Sequence, residues 1–149
     1  MRNFVVCSFI MCCLMLFACS DSVKQQEREF LKLQIEQMEN LGNYEWIVIL
    51  PGVGCNGCIQ GGEYFMKMNV CRKDILYILT QISSLKILQQ KLELDLDKYS
   101  NILVDRKNLF RIPTSNNIYP CVVKLDKNTI EEHWFQSPEC NAFGFIPIK

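Results

Sequence analysis

Apolar and polar positions change their spacing several times along this chain, and each change marks a predicted element. Phe4 to Phe17 is apolar apart from Ser8, a run too short to cross a bilayer comfortably. From Ser22 to Leu41, the residues Leu31, Ile35, Met38 and Leu41 recur at helical spacing and Phe30 broadens the stripe, so an amphipathic helix is expected. Ser22 with Gln25 fits a capping box at its start, and Gly42-Asn43 a stop at its end. Trp46 to Leu50 and Asp74 to Thr80 are short, nearly continuous apolar runs, the pattern of strands buried on both faces of a parallel sheet. Glu63 to Val70 reads as a short helix with a weak start at Gly61-Gly62, and Ser84 to Leu94 as a second, on Leu85, Leu88 and Leu92. Asn101 to Val104 is a third short strand running into a polar turn, Asp105 to Asn108, and Leu109 to Asn117 is irregular. Tyr119 to Leu125 and Thr129 to Phe135 flank Asp126-Lys127-Asn128 as a hairpin, and Ser137 to Lys149 is left as a wrapping tail.

Strand, helix, strand, helix, strand and hairpin predict an α/β sandwich with a mixed central sheet flanked by helices. At 149 residues, 49% apolar and 21% charged, the chain fits one globular domain. Sixteen basic and sixteen acidic residues cancel. With no basic stripe, no nucleic-acid partner is expected.

Candidate chemistry lies in the cysteines. Cys7, Cys12, Cys13 and Cys19 belong to the apolar leader, leaving Cys55, Cys58, Cys71, Cys121 and Cys140 for the domain. Cys55 and Cys58 stand at C-x-x-C spacing directly after the strand that Pro51-Gly52 ends, where a helix can begin. The positive end of a helix favours thiolate, so this is the pattern of a thiol–disulfide redox site. A structural disulfide and a soft-metal half-site are the alternatives. Zinc takes four ligands, commonly in two pairs; Cys71, Cys121, Cys140 and His133 supply no second pair, so no metal is expected. Cys121 either reaches the redox pair or faces the core, and the core is favoured. Cys71 and Cys140 are candidates for a second disulfide. His133, beside Glu131 and Glu132, reads as a surface residue, Trp46 and Trp134 as packing, and Glu45 as a solvated acid at a strand end.

Two resemblances add to this. Leu16-Phe17-Ala18-Cys19 resembles the bacterial lipoprotein signal, which implies a leader over 1–18 and an acylated Cys19 held in membrane lipid. Residues 19–42 would then be the lipidated Cys and the amphipathic helix, and 43–149 the domain. In that pattern Ser20 points to the outer rather than the inner membrane, while Asp21 pulls the other way. Strand–Cys55-Asn56-Gly57-Cys58–helix, Asn101-Ile102-Leu103-Val104-Asp105 before a polar turn, and Tyr119-Pro120 before a strand and hairpin together resemble the redoxin branch of the thioredoxin superfamily. The resemblance implies a thioredoxin-like sandwich in which Cys55 is the nucleophile, Cys58 the resolving thiol and Pro120 a cis residue facing the pair. It also implies disulfide exchange with envelope proteins bearing thiols or disulfides, with no cofactor beyond the cysteines. Gly54 stands where the family usually has Trp, Asn56-Gly57 replaces the common Gly-Pro, and no regular terminal helix follows the hairpin. Those departures support a second reading, a non-catalytic thioredoxin-like module that binds an envelope partner. A peroxidase is disfavoured, since Gly52 and Val48 occupy the positions where that pattern needs Thr or Ser and Pro.

Overall fold

The computed structural model describes residues 22–38, 41–42 and 44–148. The expected leader and Cys19 lie outside the described residues, among which no helix is long and apolar enough to cross a membrane. The first helix, α1, covers residues 22–36. One turn apart on it, Leu31 and Ile35 are almost completely buried, and such side chains contribute roughly 1.5–3 kcal/mol each. The helix is shorter than its apolar stripe predicts. Met38 and Leu41 still reach the same core, from the chain that follows the helix.

The remaining elements are β1 (Trp46–Pro51), α2 (Asn56–Asn69), β2 (Ile75–Thr80), α3 (Leu85–Leu92), β3 (Ile102–Asp105), β4 (Cys121–Asp126) and β5 (Thr129–Phe135). The five strands form one mixed sheet in the order β3-β2-β1-β4-β5. β1 and β2 pair in parallel, as do β2 and β3, while β4 runs antiparallel to both β1 and β5. β1 and β2 lie inside the sheet and are buried at every position, which is why both read as continuous apolar runs.

Alternate residues of these strands feed two cores. Ile47, Ile49, Ile78 and Val123 pack beneath α1 and the 109–113 segment, with Leu31, Ile35, Phe110 and Ile112. Val48, Leu50, Tyr77 and Val122 pack beneath α2 and α3, with Met66, Leu88 and Leu92. The result, among the described residues, is α/β, with three helices around a five-stranded mixed sheet and a C-terminal hairpin, consistent with a thioredoxin-like sandwich. No regular helix follows the hairpin; α1 covers the sheet face opposite α2 instead. The tail closes the α2 side, where Phe143 stacks on Phe65 (4.7 Å between centroids) and Phe145 on Trp134 (4.7 Å).

α2 corrects the expectation most. The sequence predicts a helix over Glu63 to Val70, its start weakened by Gly61-Gly62, since a glycine costs about 1 kcal/mol in a helix. The helix instead begins at Asn56 and runs through Gly57, Gly61 and Gly62. Packing explains Gly62, where an added Cβ would come within 2.6 Å of Leu50 Cδ2 and 3.3 Å of Pro120 Cγ. That bare backbone lets α2 sit directly on β1 and on the start of β4.

Candidate redox site

Where β1 ends, the Gly52 N–H donates to the Thr80 carbonyl (2.8 Å), so the chain leaves the sheet still pinned to β2. Gly54 has φ +149°, and a Cβ there would overlap the main chain of Ile118. A large side chain is therefore shut out of the position just before Cys55. Cys55 is the N-cap of α2, in extended conformation. Its N–H donates to the Ile118 carbonyl (2.9 Å), and its own carbonyl accepts the first helical bond from Ile59 (2.9 Å).

At an N-cap, Ser, Thr, Asp or Asn would normally use a side-chain oxygen to accept a free N–H of the first turn. Here no side chain caps the helix, and the first turn holds no acid. A sulfur anion at this position sits at the positive dipole end of the helix, a setting that stabilises thiolate. Cys58 lies in that first turn. Its Sγ is at disulfide distance from that of Cys55, with the Cα atoms 5.3 Å apart. The two sulfurs differ in access, for Cys55 is half-exposed and Cys58 buried. Val53 and Ile118, both exposed, flank Cys55 with apolar surface.

The Pro120 expectation needs correcting. No peptide bond among the described residues is cis, so Tyr119–Pro120 takes the trans form that X–Pro bonds favour by about 0.5–1 kcal/mol. The segment does run beside the pair, but the group touching Cys55 is the Ile118 carbonyl. Pro120 is buried and packs against α2 near Gly62. Asp105, in the strand–Asp–turn segment, accepts from the Thr80 hydroxyl (2.9 Å) and from the N–H groups of Leu109 and Phe110 (3.0 and 2.8 Å). Its work is to fold the chain back after β3.

The other cysteines stand apart from the pair. Cys121 is fully buried in the core beneath α1, on the sheet face away from α2. Burial pushes its thiol pKa far up, and the nearby Glu27 carboxylate adds to the shift. Cys71 and Cys140 are both free thiols, so the second disulfide considered from the sequence is not formed. Among the described residues no cluster of three His, Cys, Asp or Glu side chains is placed to hold a metal ion. Glu45 precedes β1 at the end opposite Cys55, about 20 Å away along a six-residue strand.

One buried group escaped the sequence reading. His133 is 3% exposed rather than on the surface, and Glu27 of α1 is 2% exposed. Glu27 accepts from the Thr114 hydroxyl (2.5 Å) and the Asn116 side-chain amide (2.8 Å), and its other oxygen lies 3.4 Å from His133 Nε2. His133 Nδ1 lies 4.0 Å from Glu132 Oε1 and makes no hydrogen bond among the described residues. Burial lowers the His133 pKa, while the bond and charge of Glu27 oppose that shift. Glu27 carried a legible signal, since it precedes Leu31 and Ile35 at four-residue steps on the buried stripe. His133 did not. Between β4 and β5 the register jumps from Lys124↔Glu132 to Leu125↔Ile130, and this bulge turns His133 inward where strict alternation would point it out.

Compared with known proteins, the chain matches no family model, no curated protein and no solved structure.

Proposed function

We propose that this protein is a thiol–disulfide oxidoreductase of a bacterial cell envelope, held in membrane lipid through an acylated Cys19 and acting on exported proteins. One observation carries the reading: a half-exposed Cys55 occupies the N-cap position of a helix that no side chain caps, one turn from a buried Cys58 at disulfide distance. That pairing at C-x-x-C spacing is consistent with redox chemistry.

In the reducing direction the Cys55 thiolate attacks one sulfur of a substrate disulfide. A mixed disulfide forms and the second substrate sulfur leaves as thiolate. Cys58 then gives up its proton and attacks Cys55 Sγ, expelling the first substrate sulfur as thiolate. The Cys55–Cys58 disulfide closes, the substrate has gained two electrons, and the proton from Cys58 ends on a released thiol. The same steps reversed oxidise a dithiol. The potential of the pair against its electron partner selects the direction. The apolar rim of Val53 and Ile118 suits an unfolded or extended polypeptide better than a charged small thiol.

The second reading, a binding module with a structural disulfide, draws on the trans Pro120 and on the Ile118 carbonyl already occupied by Cys55. The reduction potential of the pair decides between the two. A value between roughly −270 and −120 mV, the range of known oxidoreductases, supports exchange, and one below about −300 mV identifies a structural disulfide. The anchor has its own test. Labelled fatty acid should enter the wild-type chain in a bacterial host and be lost in Cys19→Ser; label retained in that variant rules out acylation at Cys19.

A further inference from the structure

The buried Glu27 cluster lies on the sheet face away from α2, and a chain of hydrogen bonds still connects it to Cys55. Glu27 holds Thr114 and Asn116, the residues at the start of a 3₁₀ turn over Ser115–Ile118. Thr114 is the N-cap of that turn and accepts from the Asn116 N–H (3.3 Å), and the Tyr119 N–H closes it onto the Asn116 carbonyl (3.0 Å). The far end of the turn presents the Ile118 carbonyl to the Cys55 N–H (2.9 Å) and passes so close to Gly54 that no Cβ fits between them. Beyond it, the Pro120 carbonyl accepts from Gln136 (2.8 Å) as β4 begins. The turn is thus fastened on one side by β4 and on the other by a single carboxylate from α1.

We infer that Glu27 is a positioning residue for Cys55: by holding Thr114 and Asn116 it seats the 115–118 turn, whose Ile118 carbonyl fixes the Cys55 main chain. This rests on the proposed role of Cys55 as nucleophile and adds the element that sets its reactivity. The bond to Ile118 holds Cys55 in its N-cap conformation, and that conformation places it at the positive end of α2. Released from α1, the turn no longer defines where the sulfur sits, and the thiolate loses its fixed place at the dipole end. A buried acid in a polar cluster is otherwise a cost in stability, which a residue with this task offsets by what it orders.

The test uses the full chain in reduced form. Alkylation rates of individual cysteines are read by mass spectrometry near neutral pH, with the exposed Cys71 as internal reference. In wild type, Cys55 should react at least about tenfold faster than Cys71, as expected for a lowered thiol pKa. Glu27→Ala should cut that ratio about tenfold, the scale of one lost charge-assisted hydrogen bond. It should also shift the thiol–disulfide equilibrium of the pair about tenfold, or about 30 mV. Glu27→Gln keeps an oxygen for Thr114 and Asn116 and should stay within about twofold of wild type. A purely structural role would lower the melting temperature and leave the ratio and the equilibrium alone. Unchanged values in Glu27→Ala, or equal losses in the Ala and Gln variants, overturn the inference. A wild-type ratio near one sinks the nucleophile reading itself, and that outcome is visible before any variant is made. If Glu27→Ala does not fold, Asn116→Ala removes one of the carboxylate's two bonds to the turn and leaves the Thr114 cap in place; it should cost a few-fold in the ratio, and a wild-type ratio there overturns the inference equally.

Discussion

The two faces of the sheet are built from alternate residues of the same strands, yet they treat polar groups in opposite ways. Beneath α2 and α3 the core is apolar but for the buried Tyr77 hydroxyl, and the cysteine pair sits at its rim, on a helix end open to solvent. Beneath α1, an acid and an imidazole are buried beside Thr114 and Asn116 in a mostly apolar core. The first arrangement keeps a sulfur accessible. The second ties the 114–116 loop to α1 through Glu27 and leaves His133 Nδ1 without a hydrogen bond, an arrangement that costs stability, since most buried polar groups find partners. Cys55 and Cys121 show the contrast at one end of neighbouring strands. The first is a half-exposed helix cap; the second is sealed in the core with its pKa driven up.

The sharpest test of that contrast is a pair of cysteine variants. Cys55→Ser should abolish disulfide exchange with a model peptide disulfide. Cys121→Ala should leave exchange intact and cost about 1 kcal/mol, the worth of one small buried group, in urea unfolding. Exchange lost in the second variant would mean that the two faces are not chemically separate.

Next in size is a comparison of side chains beneath the two faces. Met66→Ala, on the buried face of α2, should cost about 2–5 kcal/mol through its cavity. Glu27→Ala should cost about 1–3 kcal/mol for each partner left without a hydrogen bond. A Glu27→Ala chain as stable as wild type would show that the polar cluster is not held as described.

The glycines give a smaller effect with opposite signs. Gly54→Ala meets Ile118 at a positive φ and should destabilise by at least about 2 kcal/mol. Gly61→Ala has open space and a helical backbone, so it should stabilise by about 0.5–1 kcal/mol. Melting temperatures moving in the same direction would contradict the start of α2 at Asn56.

The smallest effect separates the faces by pH. The His133 pKa is lowered from 6.5 in the folded chain, so the unfolded chain binds that proton more readily. Stability from this group is complete above about pH 6.5 and falls as acid protonates the unfolded state first, by at most about 1.4 kcal/mol per pH unit. Urea midpoints measured from pH 7.5 to 5 should drop in wild type and drop less in His133→Asn. Equal slopes would remove His133 as the cause.

Much of this was written in local pattern. β1 and β2 are legible as apolar runs because central parallel strands are buried on both faces, and a helix cap is legible in two cysteines after Pro51-Gly52. The α1 stripe and the β4–β5 hairpin follow from spacing and turn residues alone. Other features depended on partners far away in sequence. Helix propensity placed the start of α2 after the glycines, and only the docking of Gly62 on Leu50 and Pro120 carries the helix back to Asn56. Alternation put His133 outside, and one bulge reversed it. The sequence by itself determined the sheet and the cysteine pair directly after its first strand, because those depend on residues a few positions apart. The seat of Cys55, the trans Pro120 and the link from Glu27 were decided by the tertiary structure, where the 114–120 segment meets both α1 and α2 and the energy of each contact belongs to the pair, not to either residue.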